Sequence, residues 1–208
     1  MTEYVKIPNI FKRETFGKNK LIEGEYSSLE LEYLKDAEWE FTEKIDGTNI
    51  RVCWDGYRVS FMGRTDKAQI PAHLLAKLEE LFGGESKEEL FEQKFGRSKV
   101  ILFGEGYGEK IQKGGGLYGP VNFRLFDVQV GSYWLNQGHV GETAKTFNID
   151  TAPFMFTGTL EDGVAFIKTH PKSLLRDAEM EGIVGRPMVQ MFSRTGERIM
   201  VKIKCRDF

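Results

Sequence analysis

The sequence predicts an α+β fold of mostly antiparallel sheets with helices inserted between the strands. Runs of alternating apolar and polar residues meet at tight turn signals such as Asp55-Gly56, which is typical of antiparallel hairpins. Leucines at helical spacing after Pro71, and a second apolar helical pattern in residues 159–168, interrupt these runs. Hairpins with helices between them favour the α+β class.

Length and composition are consistent with one folded domain. A chain of 208 residues can bury a substantial core but leaves little room for a second full domain, so we expect a single domain over residues 1–208. Hydrophobic residues make up 40% and aromatic residues 12% of the chain, which argues against disorder. No internal repeat or low-complexity linker divides it.

Charge and cysteine usage exclude several classes of protein. The net charge is −2, unlike that of a protein that coats nucleic acid, so any nucleic-acid contact needs a local basic patch. No apolar run reaches the length of a membrane span and the first residues do not form a signal peptide, so we expect a cytoplasmic protein. Cys53 and Cys205 offer neither a disulfide framework nor a metal motif, and we interpret them as reduced thiols.

Residues 1–35 are expected to be a lead-in that packs around a sheet. The segment carries a basic cluster, which we interpret as solvated surface charge, with proximity to RNA as the alternative. The members of this cluster are Lys12, Arg13, Lys18 and Lys20.

Lys44 lies between two predicted strands. A run with Trp39 and Phe41 reads as one strand, Asp46-Gly47 is a turn signal, and residues 49–61 read as a hairpin. This arrangement predicts that Lys44 and Gly63-Arg64 occupy nearby ends of connected strands.

Two helices are predicted next. The first runs from Pro71 to a stop at Gly83-Gly84. Ser86 and Glu89 have capping-box spacing and predict the start of a second helix, which ends near Phe95.

The middle of the chain then alternates strands with glycine-rich segments. Residues 99–103 are an apolar strand that delivers Glu105 into a predicted turn over residues 104–108. Residues 114–116 are three glycines, which we interpret as a flexible loop, since no Gly-Lys-Ser/Thr or helix start follows to make a phosphate-binding loop. Residues 123–130 are a further alternating strand.

The last third is predicted to be a helix followed by strands. Residues 159–168 begin with capping-box spacing, and a strand starts at Glu181. Residues 189–192 are expected to pair with residues 198–204 across a turn.

Three lysines have the placement that phosphate chemistry needs. An amine is a nucleophile only when deprotonated, and a lysine at a strand end, such as Lys44, can be positioned where its charge is disfavoured. Lys202 and Lys204 alternate, so they face one side of a strand and can reach one phosphate. The alternative interpretation of this pair is a solvated edge strand.

The order of motifs resembles that of a known superfamily. The motifs are Thr42-Glu-Lys-Ile-Asp-Gly-Thr-Asn49, Gly63-Arg64-Thr65, Phe103-Gly104-Glu105-Gly106, Phe123-Arg-Leu-Phe-Asp127, Glu181-Gly-Ile-Val184 and Val201-Lys-Ile-Lys204. Together they resemble the lysine-dependent nucleotidyltransferases, and they are most similar to the nick-sealing branch of ATP-dependent RNA ligases. The resemblance implies a nucleotidyltransferase (ATP-grasp-like) fold, and because only four residues follow Lys204, we expect no appended OB-fold.

The resemblance also assigns roles at the site. Lys44 would take AMP from ATP as a phosphoramidate, assisted by Lys202, Lys204 and Glu181. The nucleotide and its metal would be held by a further set. Expected nucleotide contacts are Glu43 (the adenine amino group), Asp46, Gly47, Asn49, Arg64, Glu105 and Phe126 (stacking on adenine), and expected ligands of Mg²⁺ or Mn²⁺ are Asp46, Glu105 and Glu181.

The expected activity is therefore RNA ligation through lysyl-AMP, transfer of AMP to a 5′-phosphate, and attack by a 3′-hydroxyl. RNA ends, in a nicked duplex or a single strand, are the expected partner of a monomer without membrane attachment, with a helper protein or RNA-binding partner as a further partner. The alternatives are a DNA ligase, a capping-type guanylyltransferase, and a non-catalytic module that binds nucleic-acid ends.

Overall fold

A computed structural model describes residues 2–208, which form two compact units. The Lys44 unit comprises Val5–Ile45 and Pro153–Phe208. The Asn49 unit comprises Asp46–Ala152 together with the residues up to Tyr4. The chain thus leaves the Lys44 unit one residue after Lys44.

Helices and strands alternate irregularly along the chain, as expected for the α+β class. In chain order they are β1 (Phe11–Arg13), β2 (Leu21–Tyr26), α1 (Leu29–Tyr33), β3 (Trp39–Glu43), β4 (Thr48–Trp54), β5 (Val59–Gly63), α2 (Ala72–Phe82), α3 (Glu85–Phe95), β6 (Val100–Tyr107), β7 (Asn122–Val130), β8 (Tyr133–Trp134), α4 (Gln137–Phe147), β9 (Asp150–Thr151), β10 (Phe154–Gly158), α5 (Leu160–Lys168), β11 (Gly182–Pro187) and β12 (Val201–Lys204). Short 3-10 helices occupy Gly115–Tyr118 and Cys205–Asp207.

The predicted mostly antiparallel pairing is confirmed. The Lys44 unit holds a four-stranded sheet in the order β10-β3-β11-β12 and the two-stranded β1-β2 sheet. The Asn49 unit holds a sheet in the order β5-β4-β6-β7-β8, with β9 parallel to β7. None of the helices in residues 2–208 combines the length and apolar character that a membrane span requires.

Each unit has its own apolar core, because each sheet buries one face under helices. In the Asn49 unit, Leu74 and Leu78 of α2 pack with Phe147 of α4 over the large sheet. In the Lys44 unit, Leu160 and Ile167 of α5 pack over the small one. Both cysteines are free and buried, and burial raises the pKa of each thiol to about 11.

Several element predictions are confirmed. The hairpin after Lys44 forms as β4 and β5, with Ile50 opposite Gly63. The helix after Pro71 is α2, and α5 begins with the predicted capping box between Thr159 and Asp162.

Two predictions about a helix cap and a loop are wrong, and one helix was not predicted. Strands β3 and β4, on either side of Lys44, belong to different sheets, and the proximity of Lys44 to Gly63-Arg64 stays a prediction. Helix α3 has Gly84 as its N-cap, without a side-chain cap, and does not begin with the predicted capping box of Ser86. Residues 115–118 form a 3-10 helix and not an open loop. Helix α4, capped by the Asn136 side chain, was not anticipated.

The predicted turn at residues 104–108 is largely strand. β6 continues to Tyr107 and pairs with both β4 and β7. Gly104 is needed because a Cβ there would lie 2.1 Å from the Phe123 ring, so the glycine serves close packing.

The pairing of the last strand also differs from the prediction. β12 pairs with β11, with Gly182 opposite Lys204, and not with residues 189–192. Only one isolated bridge, between Phe192 and Arg198, is found where the extended hairpin was expected in the described chain.

Candidate active site

Glu181 joins two lysines in the Lys44 unit. Lys44 Nζ donates a hydrogen bond to Glu181 Oε2 at 2.6 Å, and Lys204 Nζ lies 2.8 Å from Glu181 Oε1. The exposed fraction of the side chain is 23% for Lys44, 18% for Glu181 and 14% for Lys204. One carboxylate is thus held between two ammonium groups at a surface that solvent and ligands can reach.

The central strand β11 explains why these residues meet. It pairs with β3 on one side and β12 on the other, and the Lys44 backbone N–H donates to Gly182 O at 2.8 Å. A Cβ at Gly182 would lie 2.1 Å from Ile203 O, so a larger residue would push β12 away. The glycine after Glu181 therefore holds Lys204 at hydrogen-bonding distance.

The charge of Glu181 is stabilised by its partners. Burial alone would raise the pKa of this carboxyl, but Lys44 and Lys204 outweigh burial and hold the pKa below its usual value. Glu181 is therefore an anion at neutral pH, and its ion pair with Lys44 stabilises the charged amine.

Lys202 and Lys204 share one face of β12, as predicted. Both are partly exposed, while Val201 and Ile203 are buried in the core of the unit. The backbone of Lys202 bonds to the N-terminal segment: its N–H donates to Pro8 O at 2.9 Å and its carbonyl accepts from Ile10 N–H at 3.2 Å. These bonds hold the segment around Pro8 and Ile10 beside β12.

Glu43 has a structural role, and its predicted adenine contact stays a prediction. The residue is 2% exposed. Its carboxylate accepts hydrogen bonds from the Ser173 hydroxyl and, at 2.9 Å, from Leu174 N–H. With both oxygens engaged and buried, Glu43 anchors the loop that follows α5.

The remaining predicted site residues lie in the Asn49 unit. Asn49 and Glu105 are opposite each other on β4 and β6. Asn49 Oδ1 is buried and has no hydrogen-bond partner among the described residues. Since such an oxygen is costly to bury alone, this position fits a contact with a ligand.

The residues before β4 are fixed by two hydrogen bonds. Asp46 N–H donates to Tyr118 Oη at 3.0 Å, and Gly47 O accepts from Gln112 Nε2 at 3.1 Å. The segment that follows Lys44 is therefore held against the loop near the 3-10 helix.

Arg64 and Phe126 differ in their surroundings. Arg64 follows β5 and is exposed. Phe126 is half-buried, with its ring centroid 5.1 Å from that of Tyr4 in an edge arrangement. Their nucleotide contacts, like those of Asp46, Gly47 and Glu105, stay predictions.

The predicted metal ligands also stay a prediction. Within residues 2–208, no three histidine, cysteine, aspartate or glutamate side chains form a group that would hold a metal. Magnesium usually keeps several waters and binds through one or two carboxylates plus substrate phosphates, so it needs no protein cage. The carboxylate of Glu181 fits that mode of binding.

A basic cavity was missed by the sequence analysis. Its volume is about 370 Å³, and it lies in the Lys44 unit beside Lys204. Side chains from the N-terminal segment and from the last residues of the chain line it together with β12. The charged lining residues are Arg13, Lys18, Lys202, Lys204, Arg206 and Asp207. Only the unassigned basic cluster of residues 12–20 hinted at it.

Comparison with known proteins identifies the family. A family model described as RNA ligase matches residues 37–204. The chain belongs to the RNA ligase family. Lys44, Glu181 and Lys204 all lie within the matched region. A comparison with curated protein sequences gave no match.

Solved structures of RNA ligases share the fold. A Naegleria gruberi RNA ligase mutant with AMP and Mn has a TM-score of 0.64 at 19% identity, over 84% of this chain and 52% of that one. A mutant with ATP and Mn gives 0.63 and 19%, over 84% and 51%. The same ligase with PPi gives 0.63 and 20%, over 84% and 51%. The chain spans about half the length of these ligases.

Proposed function

We propose that this chain is an ATP-dependent RNA ligase that works through an AMP adduct of Lys44. The observation that carries the proposal is the Lys44–Glu181–Lys204 arrangement, in which a strand-end amine and a second cation share one carboxylate. Membership of the RNA ligase family supports RNA as the substrate. The Naegleria structures, obtained with ATP, AMP and Mn, support ATP as the co-substrate of this chain and a divalent cation as its cofactor.

The first requirement of the reaction is a neutral amine. The ammonium of Lys44 must lose a proton, and Glu181 Oε2, at 2.6 Å, is positioned to accept it or pass it to solvent. Nζ then forms a bond to the α-phosphorus of ATP, and the bond from that phosphorus to the β-phosphate oxygen breaks. Pyrophosphate leaves, and the nitrogen releases a second proton.

The next steps return the enzyme to its starting state. An oxygen of an RNA 5′-phosphate attacks the adenylate phosphorus, the phosphorus–nitrogen bond breaks, and Lys44 regains its protons. A 3′-hydroxyl then attacks the activated 5′-phosphate, releasing AMP and the hydroxyl proton. The product is a phosphodiester.

Lys204 supplies fixed positive charge during these displacements. It stays hydrogen-bonded to Glu181 when Lys44 has lost its charge, and its face of β12 also carries Lys202. A cation held in place is worth most where negative charge develops in the transition state.

A divalent cation would neutralise phosphate charge and favour the neutral form of the amine when bound. Glu181 is the carboxylate of the Lys44 unit that fits it, and Asp46 and Glu105 are the predicted ligands of the Asn49 unit. Arg64, Asn49 and Phe126 are proposed to bind the nucleoside. We also propose that the protein acts on RNA ends, and that it is cytoplasmic and monomeric.

Labelled nucleotides test the proposal against its alternatives. With ATP labelled at the α-phosphate and Mg²⁺ or Mn²⁺, we expect acid-labile label on the protein and no label when EDTA is present. Label from GTP would favour a capping enzyme, and no label from either would favour a module that only binds ends. Sealing of matched RNA and DNA nicks separates an RNA ligase from a DNA ligase.

A further inference from the structure

The basic cavity beside Lys204 lies mostly outside the part of the chain that matches the family model. That match covers residues 37–204, whereas Arg13, Lys18, Arg206 and Asp207 of the lining fall before or after it. The chemistry of the catalytic lysine does not require these residues. They need an explanation of their own.

The cavity is strongly cationic. Five lysine and arginine side chains line it against one carboxylate, that of Asp207. Arg13 Nη2 lies 2.7 Å from Asp207 Oδ2, and Arg13 Nη1 donates to Asn19 O at 2.9 Å. Arg13 therefore ties the β1–β2 loop to Asp207, while Lys18 and Arg206 add positive charge to the lining.

The same loop displays an aromatic side chain. Phe16, between β1 and β2, is 91% exposed, and Lys18 follows it by two residues. At this exposure nearly the whole ring surface is available to a ligand. Proteins that bind single-stranded nucleic acid combine such rings, on which bases stack, with cations that track the backbone.

We propose that the β1–β2 loop and this cavity bind a single-stranded segment of the RNA substrate. A backbone phosphate enters the cavity and is held by Lys18 and Arg206, and an adjacent unpaired base stacks on Phe16. The inference rests on the proposed function for the identity of the substrate, and it adds where the strand is held. ATP phosphates alone would use the cations but leave Phe16 without a role.

The loop offers matched substitutions. Lys18→Ala combined with Arg206→Ala removes two cations of the cavity, whereas Lys12→Ala removes a cation of the same hairpin that pairs with Glu25 at 3.6 Å and does not line the cavity. Phe16→Ala removes the ring, and Tyr33→Ala removes another ring, 88% exposed, from α1. Arg13 is left intact because Asp207 is mostly buried and depends on it.

Binding of a short 5′-phosphorylated single-stranded RNA, measured by fluorescence anisotropy over a range of salt concentrations, tests the proposal. The Lys18/Arg206 variant should bind more weakly, and its slope of log K against log salt should flatten by about 0.7 for each lost phosphate contact. Phe16→Ala should bind about tenfold more weakly with an unchanged slope, because stacking involves no counterion release. The Lys12 and Tyr33 variants should bind as the wild type does.

Other outcomes would overturn the inference. Equal RNA affinity in all variants would do so. A second such outcome is a Lys18/Arg206 variant that binds RNA as the wild type does but needs a higher ATP concentration for half-maximal labelling of Lys44. That result would make the cavity a site for ATP phosphates. Equal losses in the Lys12 variant would show a general charge effect. The assay needs no ligase activity, so absence of the lysyl adduct would count against the proposed function and leave this inference intact.

Discussion

The two units satisfy their polar site residues in opposite ways. In the Lys44 unit, Glu181 and its two lysines compensate one another within 2.8 Å. In the Asn49 unit, Asn49 Oδ1 is buried without a partner. Burying an unpaired charge costs far more than burying an unpaired amide, so the ionic groups must be paired before a ligand arrives and the amide need not be. Lys44 therefore has to give up its contact with Glu181 before it can react, whereas Asn49 Oδ1 can gain a hydrogen bond when a ligand binds.

Removing the Lys44 amine should have the largest effect. Lys44→Ala is expected to abolish the labelled adduct while the fold is kept, because Glu181 retains its contact with Lys204. Lys44→Arg should not restore it, since a guanidinium stays protonated. Acid-gel analysis after incubation with labelled ATP measures this, with exposed Lys6→Ala as control, and an adduct on Lys44→Ala would remove the assignment.

Neutralising the shared carboxylate should come next. Glu181→Gln keeps the shape but leaves the two lysines without their counter-charge and removes the proton acceptor, so we expect adduct formation to slow by about 10²-fold. Single-turnover rates would be compared with those of Glu179→Gln, an exposed neighbour. Wild-type rates for Glu181→Gln would mean that the ion pairs are structural only.

Replacing Asn49 should increase stability at the expense of activity. Asn49→Leu removes the unpartnered oxygen, so the free energy of unfolding should rise or stay level, by up to about 1 kcal/mol. If a ligand uses this oxygen, ligation should fall by about tenfold, a loss of the size expected for one hydrogen bond. Thermal unfolding and sealing rates on one preparation measure both, and a stability loss without an activity loss would contradict the comparison.

Glu43 should affect stability alone. Glu43→Gln replaces an acceptor of the Ser173 and Leu174 bonds by a donor, so unfolding should become easier by about 1–3 kcal/mol. The preference for ATP over GTP should not change. Denaturant titration and labelling with each nucleotide test this, and loss of ATP preference would reinstate an adenine contact.

The smallest effect is a dependence on pH. The pKa of Glu181 is lowered in the folded protein, so its ion pairs contribute stability above its unfolded pKa, about 4.3, and lose that contribution as pH falls through the lower folded pKa. The Tm difference between wild type and Glu181→Gln should be steady from pH 7 to about pH 5 and shrink on further acidification. A difference that grows in acid would reverse the assigned direction.

The elements that were predictable carry local signals. The β4–β5 hairpin follows from Asp55-Gly56, whose Gly56 has a φ of 104°, and α5 follows from the reciprocal bonds of Thr159 and Asp162. Lys202 and Lys204 were placed on one face because strand alternation depends on sequence spacing alone.

The elements that were missed depend on distant contacts. Gly104 looks like a turn residue, and only its pairing with Ile50 of β4 and Leu125 of β7 shows that it lies within a strand. Glu43 precedes Lys44, and no local pattern predicts that its carboxylate bonds to the loop at Ser173. The cavity formed by Arg13 and Arg206 joins the two ends of the chain, and no local pattern predicts such a meeting.

The alternation of β12 also limits the ways in which this chain can misfold. A slip of the strand by one residue against β11 would turn Lys202 and Lys204 inward and Val201 and Ile203 outward. Two ammonium groups would then enter an apolar core without partners, at a cost that exceeds the stability of most domains. A near-native state with displaced lysines is therefore not a stable alternative to the native register of β12.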